Sequence, residues 1–146
     1  MKKTLLALIA ALCMGNICNA QISDESAALG GLTVGLPLNR VIQIYGRPQN
    51  IDQYNNLTYG NGTLKIMTNF KSRQVIDRIY VTGNNGFATP QGIRVGSSLN
   101  QVIGTYGNPD RSMPNLFAYI SYSGRCLFLR HDGVKVTSME LHPFFS

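Results

Sequence analysis

Cysteine is scarce in this sequence. Of the three cysteines, Cys13 and Cys18 lie within residues 1–20, and Cys126 is the only one in the rest of the chain. A chain that loses the first segment cannot form an internal disulfide, so its core must be held by packing alone. In an oxidising compartment Cys126 is then either a buried side chain or a free thiol that can form an intermolecular disulfide.

Long apolar runs are also missing. The longest, residues 5–14, is well short of the roughly 20 residues that a membrane-spanning helix needs. It follows Lys2 and Lys3 and precedes a polar stretch that ends in Asn19-Ala20, an order typical of a secretory signal peptide. We predict that residues 1–20 are this signal, that cleavage occurs before Gln21, and that the exported chain is periplasmic or secreted with no transmembrane segment.

A lipoprotein signal is the alternative, because Cys13 and Cys18 lie near the end of the apolar run. The residues before them are Leu12 and Ile17, where lipoprotein processing prefers a small side chain. The sequence therefore favours cleavage without lipid attachment.

Residues that carry catalysis or bind metals are few and scattered. The seven acidic residues form no recognisable pair, and His131 and His142 have neither H-x-x-x-H nor C-x-x-C spacing. Both histidines are predicted to be surface residues at strand ends. The glycines at positions 31, 35, 92 and 96 lack the Gly-Lys-Ser/Thr of a phosphate-binding loop. We therefore predict a non-enzymatic protein with no metal and no cofactor.

Acidic residues are outnumbered by basic ones. The chain has a net charge of +6, which becomes about +4 without Lys2 and Lys3. Because the basic residues form no run of three, the composition does not indicate a nucleic-acid partner. It leaves open a solvated surface with a basic excess, or binding of an anionic envelope polymer or lipid headgroup.

An internal duplication organises the chain. Residues 31–50 and 92–111 match at ten of twenty positions when aligned at an offset of 61. Each copy has one apolar helical stripe, because its apolar residues recur at i, i+3, i+4 and i+7. The stripes are Leu38, Val41, Ile42 and Tyr45 in the first copy and Leu99, Val102, Ile103 and Tyr106 in the second. A Gly-x-Pro sequence ends both helices, at Gly46 and Gly107.

Three strands are predicted after each helix, over residues 57–59, 64–67 and 75–81 and over residues 117–122, 126–130 and 134–141. One short helix covers too little of a three-stranded sheet, so the two sheets should join. We predict an α+β fold: two tandem helix-plus-three-strand repeats, residues 31–82 and 92–142, in a two-layer sandwich with both helices on one face of an antiparallel sheet. Residues 21–146 then form a single domain, with a connecting loop at residues 83–91.

The repeated phrase G-[LI]-x-V-G-x-x-L-N-x-V-I-x-x-Y-G-x-P resembles the repeat of the β-lactamase-inhibitory protein superfamily, which includes the small outer-membrane assembly lipoprotein SmpA/OmlA. A hairpin strand follows it, Leu64-Lys65-Ile66 or Leu127-Phe128-Leu129, and then a last strand from Val75 or Val136. The resemblance implies non-enzymatic work at a bacterial cell envelope, because members bind other proteins, the inhibitory proteins through an exposed sheet face. The chain lacks the lipidated cysteine and the disulfides of these members, so neither specific role is implied.

Strand alternation predicts a candidate binding face. If Leu64, Ile66, Val75, Ile79 and Val81 face the helices, and Leu127 and Leu129 do so in the second copy, the intervening residues face away. The predicted face consists of Lys65, Met67, Arg78, Tyr80, Phe128 and Arg130, with Cys126 beside them. It mixes aromatic, methionine and basic side chains, which are enriched in interface cores. The partner that we predict is another protein or, alternatively, an anionic envelope component.

Overall fold

The structure is a computed structural model that describes residues 22–144, so the predicted signal peptide lies outside the described residues. Within this range the chain forms two α-helices, α1 (Leu38–Tyr45) and α2 (Leu99–Tyr106), and short 3-10 turns at Asp24–Ser26 and Gly60–Gly62. The strands are β1 (Asn50–Ile51), β2 (Leu57–Tyr59), β3 (Leu64–Thr68), β4 (Ile76–Val81), β5 (Arg111–Met113), β6 (Leu116–Ile120), β7 (Cys126–His131) and β8 (Val136–His142).

These strands form one antiparallel sheet in the order β1-β2-β3-β4-β8-β7-β6-β5. Each half of the chain contributes one helix and four consecutive strands, and the last strands of the halves pair at the centre of the sheet. Across this seam Ile79 lies opposite Leu141 and Val81 lies opposite Met139. Because β4 and β8 are antiparallel, an approximate two-fold axis passes between them, perpendicular to the sheet.

The predicted fold class, a sandwich of two helix-plus-three-strand repeats, is wrong. The described chain is dominated by one eight-stranded sheet, and its two α-helices have eight residues each. At 1.5 Å per residue such a helix is about 12 Å long. It is therefore too short to form a full layer over its four strands.

The edge strands β1 and β5 were not predicted from the sequence. They have only two and three residues, and all of these residues are exposed. With no buried face they have no apolar alternation, which is the signal by which a strand is recognised. They also follow directly after the Gly-x-Pro helix stops, where a loop was the simpler expectation.

Irregular segments complete the layer that the short helices leave open. Before each helix the chain makes a tight turn, in which Leu29 N–H donates to the Leu32 carbonyl (2.9 Å) and Thr89 N–H donates to the Ile93 carbonyl (2.8 Å). Apolar side chains from these segments lie in the same buried cluster as Val41 of α1, Val102 of α2 and the inner face of the sheet. The buried members from the irregular segments are Ile22, Ala27, Leu29, Leu32 and Ile93.

A β-bulge occurs at the same place in both repeats. Arg78 lies opposite Met67 but Ile76 lies opposite Thr68, so Asp77 is an extra residue in β4; the equivalent irregularity in β8 leaves out Thr137. The bulge reverses the alternation at the start of the strand. Ile76 is therefore buried at 1 % exposure, and the expectation that Val75 faces the helices is wrong.

Candidate functional site

The six residues of the predicted binding face share one side of the sheet, which we call the helix-free face. Cross-strand pairing aligns Lys65 with Tyr80, Tyr80 with Glu140, and Glu140 with Phe128. This row crosses the central seam from β3 to β7. The inner neighbours of these residues lie in the cluster that contains both helices, so neither helix packs on this side.

Neighbouring rows place the other predicted residues. Met67 lies opposite Arg78 at the β3–β4 end, and Arg130 lies opposite Ser138 toward the β7–β8 turn. Lys65 and Arg130 are exposed, whereas Met67, Arg78, Tyr80 and Phe128 are half-buried. The structure therefore brings all six to one surface, and their role in binding stays a prediction.

Two residues at the centre of this surface were not among the predicted site residues, Glu140 and His142. Glu140 Oε1 accepts a hydrogen bond from Arg130 Nε (3.1 Å), and Glu140 Oε2 lies 3.1 Å from His142 Nε2. The centre of the His142 ring lies 4.8 Å from the centre of the Phe128 ring and 5.9 Å from that of the Tyr80 ring, and both pairs pack edge to face. Extending the alternation from Met139 and Leu141 would have found both residues, because residues 140 and 142 must then face outward.

Positive charge dominates the helix-free face. Lys65, Arg78 and Arg130 lie on it, and Arg111 of β5 lies opposite Ala118 on the same side. Glu140 supplies negative charge at the centre of this surface, and Asp77 lies at its edge, 3.4 Å from Arg78 Nε. Four other carboxylates accept hydrogen bonds from backbone N–H groups in turns and at strand ends, namely Asp24, Asp52, Asp110 and Asp132.

Cys126 lies opposite His142 but is fully buried. Burial, with a smaller contribution from the negative charge of Asp110, raises the pKa of its thiol to about 11. Since the thiolate is the reactive form, this cysteine is protected from alkylation and disulfide exchange in the folded chain. Within residues 22–144 it forms no disulfide.

The prediction that His131 is a surface residue is wrong. Its side chain is buried, with 7 % of the residue exposed, and the centre of its ring lies 4.6 Å from the centre of the Phe117 ring. Gly133 N–H donates to His131 Nδ1 at 3.1 Å, inside the β7–β8 turn. His131 faces the core because it continues the inward alternation of Leu127 and Leu129 along β7, which the expectation of a surface residue at the strand end overlooked.

The described residues contain neither a cluster of metal ligands nor a membrane-spanning helix. Between Ile22 and Phe144 no three His, Cys, Asp or Glu side chains gather closely enough to hold a metal ion. In the same part of the chain no helix has the length and apolar character to cross a membrane.

Comparison with known proteins adds one distant structure. No protein-family model matches this chain, and no curated protein matches it. Among solved structures it is similar to a DUF4309 family protein (YjgB) from Bacillus subtilis subsp. subtilis str. 168, with 11% identity, a TM-score of 0.48, and coverage of 88% of this chain and 90% of that chain. The function must therefore be inferred from the residues of the chain itself.

Proposed function

We propose that this chain is an exported, non-enzymatic protein-binding module that uses its helix-free face, acting at the cell envelope as an inhibitor or an assembly factor. Export is supported by the signal-like order of residues 1–20, and the envelope role by the resemblance of the repeated phrase to the β-lactamase-inhibitory protein superfamily. Protein binding is supported by the composition and the bracing of the helix-free face.

A single observation carries this proposal: contacts within the helix-free face hold Tyr80, Phe128 and Arg130 in place. His142 packs against both aromatic rings, and Glu140 holds His142 and Arg130. Aromatic and arginine side chains that are fixed before binding lose little conformational entropy on docking, which makes them effective anchors. A merely solvated sheet face would not need this bracing.

The experiment is affinity capture from envelope and secreted fractions with immobilised residues 21–146. The test variant carries Lys65→Ala, Arg78→Ala, Tyr80→Ala and Phe128→Ala. A matched control carries four alanine substitutions at exposed helix residues on the opposite layer, Arg40, Ile44, Gln101 and Thr105. Circular dichroism verifies that both variants are folded.

We expect the control to retain its captured proteins and the face variant to lose them, by roughly tenfold or more if two of its four residues are hot spots. Equal capture by both variants would refute the helix-free face as the binding surface. Loss of capture by the control alone would place the interface on the helical layer instead.

A second candidate function is binding of an anionic envelope polymer or lipid headgroup, favoured by the excess of basic side chains on the same face. Such binding depends on charge and should weaken steeply as ionic strength rises. Retention of the chain on phosphatidylglycerol vesicles that is unchanged between about 0.05 and 0.5 M salt would contradict it, because the Debye length falls severalfold over that range.

A further inference from the structure

The β3–β4 connection, residues 69–75, exposes a large apolar side chain. Phe70 is 88 % exposed, and Tyr54 in the neighbouring β1–β2 connection is 48 % exposed. Single exposed apolar residues are common and need no explanation. Here, however, Phe70 and Tyr54 line one cavity together with Met67 of the helix-free face.

Hydrogen bonds hold this connection in one conformation. Asn69 Oδ1 accepts from the N–H groups of Lys71 (3.0 Å) and Ser72 (3.2 Å), and Arg73 N–H donates to the Asn69 carbonyl (2.8 Å). Asn55 Nδ2 donates to the Arg73 carbonyl (3.0 Å), which ties the two connections together. Phe70 therefore lies in a turn that is ordered by hydrogen bonds.

The cavity combines an apolar lining with one cation. Its volume is about 280 Å³, and its lining is Tyr54, Asn56, Met67, Thr68, Phe70 and Arg73. The Arg73 guanidinium lies 5.2 Å from the centre of the Tyr54 ring, which fixes it at the rim. This volume is below the roughly 300 to 1,000 Å³ of sites for drug-sized ligands, so the cavity suits a single apolar side chain.

Arg73 has no carboxylate partner among the ion pairs of residues 22–144, which involve Arg78, Arg130 and His142. The acid nearest in sequence to Tyr54 is Asp52. Its oxygens accept from Tyr54 N–H (2.8 Å), Asn56 N–H (2.9 Å) and Asn56 Nδ2 (2.9 Å). With Lys71 also exposed on the turn, the rim offers positive charge to a ligand from outside.

We infer that this cavity, which we call the hairpin pocket, binds an apolar side chain of a partner polypeptide that carries a carboxylate beside it. The apolar side chain packs between Phe70, Tyr54 and Met67, and the carboxylate pairs with Arg73. The inference extends the proposed function and rests on it for the nature of the partner, because Met67 belongs to both surfaces. It makes the hairpin pocket the part of the interface that selects a sequence.

The second repeat differs at the equivalent connection. Its β7–β8 connection is a tight turn in which Asp132 Oδ1 accepts from Val134 N–H (3.0 Å) and Lys135 N–H (2.9 Å). Val134 is 72 % exposed there, with Lys135 exposed beside it. The pair Val134 and Lys135 therefore gives matched controls for Phe70 and Arg73 at the opposite end of the sheet.

The test is an NMR titration of ¹⁵N-labelled residues 21–146 with N-acetylphenylalanine, which carries the carboxylate, and with N-acetylphenylalanine amide, which does not. We expect shifts confined to residues 52–56 and 67–75, and binding of the carboxylate up to about fivefold tighter than that of the amide, because an ion pair with an exposed arginine contributes up to about 1 kcal/mol. Phe70→Ala should abolish both titrations, and Arg73→Gln should remove the preference for the carboxylate. Val134→Ala and Lys135→Gln should change neither.

Equal binding of the two small molecules, or shifts outside the hairpin pocket, would overturn the inference. Failure of both to bind would also overturn it. If Phe70→Ala then reduces retention on vesicles of phosphatidylglycerol and phosphatidylethanolamine, the turn is a membrane anchor instead. The same titration on the Lys65, Arg78, Tyr80 and Phe128 alanine variant separates the two proposals. Normal titration of a variant that captures no partner assigns the hairpin pocket its own ligand site.

Discussion

The two repeats use one helical phrase in two different environments. Tyr106, at the end of α2, is 8 % exposed, and its hydroxyl lies within hydrogen-bond distance of Thr89 Oγ1 (2.6 Å) and Gln91 Oε1 (3.0 Å). Its counterpart Tyr45, at the end of α1, is 36 % exposed and donates to the Gly30 carbonyl. The phrase therefore preserves the contact of the helix with the turn before it, while the surroundings of the contact have diverged.

One contact is retained in both copies. The Tyr59 hydroxyl donates to the Gly46 carbonyl (2.9 Å), and the Tyr119 hydroxyl donates to the Gly107 carbonyl (2.8 Å). Each bond joins the second strand of a repeat to the glycine that ends its helix, a position with positive φ that favours glycine. The duplication thus conserves how a helix is attached to the sheet, whereas the turns at the ends of the sheet are free to differ.

The largest expected effect is at the seam where the repeats meet. Leu141→Ala should lower the free energy of unfolding by about 3 kcal/mol, because a fully buried leucine leaves a cavity between β4 and β7. Urea unfolding should still show one transition that coincides in far-ultraviolet and near-ultraviolet circular dichroism, where the tyrosines give the near-ultraviolet signal. Two separate transitions would mean that the repeats unfold independently.

A smaller effect should separate the two tyrosines. Tyr106→Phe should cost about 2 kcal/mol, because it leaves the buried Thr89 hydroxyl without its partner, whereas Tyr45→Phe should cost about 0.5 to 1 kcal/mol at a partly exposed site. Urea denaturation midpoints with unchanged slopes measure both. Equal losses would show that the difference in burial does not matter.

The helix starts should differ by less. Ser98 precedes α2, and its Oγ accepts from Gln101 N–H (3.1 Å), whereas Pro37 precedes α1 and makes no side-chain cap. Ser98→Ala should therefore destabilise the chain by about 1 kcal/mol. Pro37→Ala removes no capping bond and serves as the comparison in thermal unfolding. No measurable loss for Ser98→Ala would contradict the capping role.

The smallest effect concerns pH. Backbone hydrogen bonds from Lys135 and Val134 lower the pKa of Asp132 below 3.8. Desolvation raises the pKa of Asp52, but hydrogen bonds from Asn56 and Tyr54 together lower it by more, so its pKa is also below 3.8. A carboxylate whose pKa is lowered in the folded state stabilises the chain at pH values above its unfolded-state pKa. This stabilisation is lost as the pH falls through the folded-state pKa. Asp132→Asn and Asp52→Asn should each flatten the fall in stability below about pH 4. An unchanged acid limb in denaturation would argue against these bonds.

Several features of the fold followed from local sequence. The stripes from Leu38 and from Leu99 lie on helices that end before Gly46 and Gly107. The alternation around Leu64 and Leu127 places the inner side chains in the buried cluster. Edge strands without a buried face and the bulges at Asp77 and Thr137 left no such periodic signal, so the expected strand number and the position of Val75 were wrong. The expected exposure of His131 was also wrong, although the alternation of Leu127 and Leu129 already places residue 131 on the inner face.

By itself the sequence determined the duplication, which is read directly from its two similar segments. It also determined the two short helices and the alternation of the sheet, because these depend on residues a few positions apart. Tertiary structure alone decided the β4–β8 seam, the bracing of Tyr80 and Phe128 by His142, and the cavity between Tyr54 and Phe70. These features join segments that are far apart in the chain. Their formation depends on long-range strand pairing and on turn hydrogen bonds, for which hydrophobic periodicity carries no signal.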